Sequence, residues 1–155
     1  MKLLPLAKLD WISRRVLLKQ IELSKRLNLP LNVHSRSAGK PVITFLIENG
    51  CEKVQLHAFS GNAKNAKAGI DAGFYFSIPP SFSNAEGKKQ LIEAIPMDQL
   101  LLETDSPVLG PDKQARNEPA NIKISAEFIA NVKNISVEDV VKKTTENAYR
   151  LYQTL

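Results

Sequence analysis

In LPLNVHSRSAGKPVITFLIENGCEKVQLHAFSG, residues 29–61, an extended run, a helical run and a second extended run follow one another without a linker. Pro30 opens the first. From 31 to 36, Asn32, His34 and Arg36 alternate with Leu31, Val33 and Ser35, the period of two that gives a strand one polar face. From about Lys40 the apolar residues Val42, Ile43, Leu46 and Ile47 recur at helical spacing, until Asn49 and Gly50 stop the run. A second strand, 54–59, sets Gln55, His57 and Phe59 on a common face. Strand, helix and strand in so few residues make a βα unit, which implies a parallel sheet.

Downstream the same pattern repeats. A helix at about 63–72 has Asn62 as its cap and Gly73 as its stop, and a strand at 74–78 is closed by Pro79 and Pro80. A helix at about 85–95 leads past Pro96 into a strand at 100–105, where Leu101, Glu103 and Asp105 share a face. Strands are thus expected to start at 31, 54, 74 and 100. Upstream, Ile12, Val16, Leu17, Ile21 and Leu27 form a helical stripe flanked by Arg and Lys. A polar loop, 106–120, precedes helices at about 124–132 and 136–152, the second with Ser136 and Asp139 placed as a capping box. The expectation is one α/β domain over 1–155, four parallel strands alternating with helices.

Bulk properties fit a soluble globular chain: 155 residues, 43% hydrophobic and 24% charged. No apolar run approaches the ~20 residues that cross a bilayer, so no membrane association is expected. The opening MKLLPLA resembles a signal peptide only briefly, because Lys8 and Asp10 interrupt it. The placement expected is intracellular, cytoplasmic or nuclear. Cys51 is the single cysteine, which excludes an intrachain disulfide and a thiolate zinc cluster. A net charge of +5 favours polyanions without selecting one.

The chain has two histidines, and both fall at the carboxyl end of an expected strand, as Asp105 does. Parallel α/β folds keep their sites at that end. His34, His57 and Asp105 are therefore candidate ligands of one metal site. Imidazole and carboxylate suit zinc and similar divalent ions, and such an ion acidifies water and polarises phosphoryl or acyl oxygens. Glu103 stands where it orients a ligand or manages a proton; its alternative is a polar residue of the sheet interior.

Five segments carry a family resemblance: LPLNVHSR (29–36), VQLHAFSG (54–61), LLLETDSP (100–107), RNEPANI (116–122) and TTENAYRLY (144–152). In this order and spacing the sequence resembles the TatD family of metal-dependent deoxyribonucleases, closest to its animal branch, over roughly Ser13 to the C-terminus. The resemblance implies a (β/α)8 barrel of the TIM type that hydrolyses DNA phosphodiesters, typically trimming 3′ ends, with two divalent metals (zinc, magnesium or manganese). On this resemblance His34 and His57 bind one metal and Asp105 the other, with Glu103 acting beside them. Asn117 and Glu118 shape the rim for substrate. Arg36 meets a phosphate as a bidentate donor or else forms an ion pair on the rim.

The departures from the family carry as much information. No histidine precedes His34, whereas the family opens with an HxH strand, and no counterpart of its bridging Glu is found; on an alignment of 9–11 with its GLD segment, Leu6 stands at that Glu position. The expectation is the C-terminal half of the barrel, with the first four strands absent. A half barrel leaves its first and last strands unpaired, which implies self-association through sheet edges or pairing with another chain. Two function classes stay open beside the nuclease: a catalytically dead binding or regulatory half barrel pairing with a full-length relative, and a metal hydrolase of a small ester or amide. With half its ligands, the chain alone is expected to bind metal poorly and to be weak or inactive.

Overall fold

The computed structural model describes residues 11–85, 87–112 and 114–152. The opening MKLLPLA segment and Leu6 lie outside them. Helix α1 (Trp11–Leu27) precedes strand β1 (Leu31–His34), followed by α2 (Gly39–Glu48), β2 (Val54–His57), α3 (Ala63–Asp71), β3 (Tyr75–Ile78), α4 (Lys88–Ala94) and β4 (Leu100–Leu102). Helices α5 (Ile122–Lys133) and α6 (Val137–Tyr152) close the described chain. The four strands form one parallel sheet in the order β1-β2-β3-β4. This is the alternating half of a (β/α)8-type barrel that the sequence implied.

Register explains the core. Val33 lies beside Leu56, Leu56 beside Phe76, and Phe76 beside Leu100, an apolar row on the face that the helices cover. Leu56, Phe76 and Leu100 are fully buried there with Leu91, Ile92, Ile129 and Val140. Each such side chain contributes about 1.5–3 kcal/mol through burial. The opposite face carries Asn32, His34, Gln55, His57 and Ser77, so the strand period separates a core face from a polar face.

Punctuation is where expected in most places. Asn62 caps α3 by accepting the Asn65 N–H at 3.0 Å, and Ser136 accepts the Asp139 N–H at 3.0 Å. Gly50 and Gly73 end α2 and α3 with φ of 61° and 77°.

Four expectations are corrected. The third strand starts at Tyr75. Helix α4 starts at Lys88 rather than 85, since Gly87 stands in the left-handed region at φ 80°. The strands also end earlier than their alternation suggested. Arg36 (φ 43°), Ala58 (φ 42°) and Asp105 (φ 57°) all leave the extended region, so Arg36 belongs to a 3₁₀ turn and Asp105 to a loop beyond β4. Lastly, the α1 stripe is only half used: Leu17 and Ile21 are buried, while Ile12, Val16 and Leu27 are exposed.

Candidate metal centre

His57 is the last residue of β2, held between two carboxylates. Its Nδ1 lies 2.5 Å from Glu103 Oε2, and its Nε2 lies 2.9 Å from Asp105 Oδ1 and 3.1 Å from Oδ2. Among the described residues, His57, Glu103 and Asp105 place one ligand atom each within 4.8 Å of one another. Positive φ at Asp105 curls the loop back over the sheet, so a residue beyond the strand still reaches the strand-end histidine.

Glu103 is the most constrained member. One of its oxygens accepts the Ala58 N–H at 2.9 Å, and the other accepts the Ser77 hydroxyl at 2.5 Å. Burial pushes its carboxyl above the ordinary carboxylate range, opposed by the Ser77 hydrogen bond, His57 and the Ala58 amide, while Asp105 adds to the rise.

Behind Glu103 runs a file of donors. Gln55 Nε2 donates to Ser77 Oγ at 2.8 Å, and the Tyr152 hydroxyl donates to Gln55 Oε1. Every group in the file therefore donates towards the carboxylate. Ser77 was legible in principle, as a polar residue at an inner-face position of an apolar strand. Tyr152 carried no such signal.

The other predicted residues are distributed around this cluster. His34 lies beside His57 in register, ring centroids 5.4 Å apart, but it is exposed and outside the three-residue group. Burial, then His57 and Arg36, lowers its pKa, and Asp105 raises it. Arg36 is exposed and accepts the Ser60 hydroxyl on its carbonyl.

Asn117 is buried. Its amide donates to the carbonyls of Thr104 at 2.6 Å and Val108 at 2.7 Å, and its Oδ1 accepts from Glu118 N–H and Asn121 Nδ2. It fastens the Asp105 loop from beneath, while Glu118 stays exposed.

Lys88, unmarked by the sequence, bonds the carbonyls of Phe59 at 3.1 Å and Gly61 at 3.3 Å and sits 4.3 Å from the centroid of the Phe82 ring. Burial pushes its amine down to about 8.

A family model described as TatD related DNase matches residues 10–153. The chain belongs to that family. It is 58% identical over 142 residues to deoxyribonuclease TATDN3 of Homo sapiens, covering 92% of this chain and 52% of that protein. It is 41% identical over 148 residues to the metal-dependent hydrolase YabD of Bacillus subtilis, covering 92% and 58%. The fold superposes on the crystal structure of YJJV, a TatD homologue from Escherichia coli, with a TM-score of 0.83 at 21% identity, covering 91% of this chain and 56% of that one. The chain thus spans about half the length of the curated TatD relatives it matches.

The donor set fits a divalent ion. The His57 Nε2 and the Asp105 carboxylate face one another without a thiolate, the mixture that zinc and its neighbours accept. A ligating histidine needs its second nitrogen fixed by an acceptor, and Glu103 stands at Nδ1 for that purpose.

Proposed function

We propose that this chain carries the metal-binding half of a TatD-type deoxyribonuclease, acting on DNA phosphodiesters from 3′ ends when the barrel is complete. The observation that carries this reading is His57 standing between Glu103 and Asp105 at the carboxyl end of the sheet. A divalent ion bound there (zinc, magnesium or manganese) supplies Lewis acidity to the scissile phosphate and to an attacking water.

The chain's own residues supply the rest. His57 Nε2 and Asp105 offer the ligand atoms, and Glu103 fixes the ring through Nδ1. Ser77 and the Ala58 amide hold Glu103 in turn. His34, one strand over, is the further ligand this reading assigns to the site once the barrel is complete. Arg36 and Glu118, both exposed at the same end, set the rim, with Arg36 meeting a phosphate. Among the described residues no helix is long and apolar enough to cross a membrane; an intracellular placement, cytoplasmic or nuclear, belongs to this proposal.

Calorimetric titration of the purified chain with zinc, manganese and magnesium tests the site, with His57→Ala as control. A 3′-labelled oligonucleotide tests the reaction, once the first half of a full-length relative is supplied. Weak binding by the chain alone that depends on His57, and cleavage that depends on both halves, are expected. Metal binding indifferent to His57→Ala overturns the reading. Binding without cleavage in the completed barrel favours a regulatory half barrel, which the half-length match also suits.

A further inference from the structure

The two ends of the sheet differ in a complementary way. At β1 the Leu31 N–H bonds the Lys53 carbonyl at 2.8 Å, towards β2. The alternation of a parallel ladder then turns the backbone groups of Asn32 and His34 to the side on which no described strand pairs. At β4 the Glu103 N–H bonds the Ile78 carbonyl at 3.4 Å, which turns Leu100 and Leu102 outward. Asn147 takes the Leu100 carbonyl at 2.8 Å, on the amino half of that edge. Leu102 lies on its carboxyl half.

Each edge is flanked by an apolar groove. One of about 650 Å³ lies between α1 and β1, where Ile12, Val16, Leu23 and Leu27 are 45–55% exposed. The other, about 660 Å³, lies along β4 between Leu102, Ile122 and Tyr149. Charge differs as well. The carboxyl end of β1 carries His34 and Arg36, whereas that of β4 carries Glu103 and Asp105, with Glu118 beyond them.

We infer that the groove at β1 is the seat of β4 from a second copy of this chain. Laid parallel, β4 of one copy beside β1 of the other, the contact repeats across a two-fold axis. Four strands from each copy then close a ring of eight, which leaves no edge and covers both grooves. Arg36 of one copy then faces the acidic carboxyl end of β4 in the other at each seam. His34 of the second copy joins the carboxyl-end rim beyond β4, where it offers a further imidazole donor to an ion held by His57 and Asp105. The closure rests on the edges and grooves alone; only its consequence for the ion rests on the metal reading.

Sedimentation equilibrium of the purified chain tests the closure, and a mass of twice 17.2 kDa at micromolar concentration is expected. Asn32→Pro deletes an outward N–H at no cost to the β1–β2 ladder, and should weaken dimerisation about tenfold or more. In a Cys51→Ser background, Val33→Cys together with Leu102→Cys should give a disulfide-linked dimer on oxidation. The two positions lie on opposite edges of one sheet, three strands apart, so no bond within a copy competes. This pair decides the matter if Asn32→Pro fails to fold.

A monomer throughout the micromolar range overturns the closure. So does a dimer indifferent to Asn32→Pro, or a Val33→Cys single variant that links as well as the pair, which marks β1-to-β1 pairing instead. A dimer linked through 33 and 102 that takes up no zinc upholds the closure and counts against the metal reading.

Discussion

His34 and His57 end adjacent strands, face each other in register and have the same sequence signature, yet the fold treats them differently. β2 is interior to the sheet, so the segment beyond β4 reaches across to His57 and sets a carboxylate at each ring nitrogen. β1 is an edge, and His34 stands exposed on it. A metal ligand needs its strand and also a neighbour to aim it. In this chain the neighbours of β2 lie within the sheet, and a neighbour for the outer side of β1 must come from beyond it.

That contrast breaks most directly at the histidines. His57→Ala should lower zinc affinity by more than the ~10–100-fold that supporting residues are worth, whereas His34→Ala should cost the monomer little; equal losses by calorimetry would erase the distinction. Glu103→Gln removes the anionic partner at Nδ1 and should cost ~10–100-fold in affinity with the fold intact, read by the same titration beside a thermal melt. Asn117→Ala frees the Thr104 and Val108 carbonyls and should lower stability by ~1–3 kcal/mol in a denaturant titration, loosening Asp105 while leaving the β1 corner alone.

The smallest effect concerns Lys88, which ties the loop after His57. Its amine lies near 8 when folded, so between about 8 and the ordinary value of 10.5 the unfolded chain binds more protons. Stability therefore gains with rising pH across that window and, as far as this amine is concerned, is level below it. Lys88→Met should flatten this dependence in melts between pH 7 and 10, and an unchanged slope would show that the amine is not what titrates.

The sequence made the His57 corner legible through periodicity. Alternation set Gln55 and His57 on one face, Asn62 and Gly73 bounded α3, and the ETD segment stood at the end of β4. It did not reveal that Asp105 arrives from a left-handed turn, because the backbone there is bent by Asn117 acting across 13 residues. Nor did it reveal Ser77, Lys88 or Tyr152 as supports, whose roles depend on which loops lie over which strands. On α1, periodicity marked a full apolar stripe from Ile12 to Leu27 that the fold buries only at Leu17 and Ile21. A sequence pattern states what a helix is suited to cover, and the surroundings decide how much of it is covered.

The bond from Tyr152 to Gln55 spans 97 residues of chain. Through Ser77 it connects α6, the last described helix, to Glu103, and Asn147 of the same helix fastens the start of β4. On a ribosome, β2 and its histidine emerge long before α6 is made. A chain arrested between Asp105 and Val137 would have every ligand of the cluster and none of the α6 bonds that back it. Metal capture during synthesis is therefore expected late, after α6 has docked, rather than as each ligand appears.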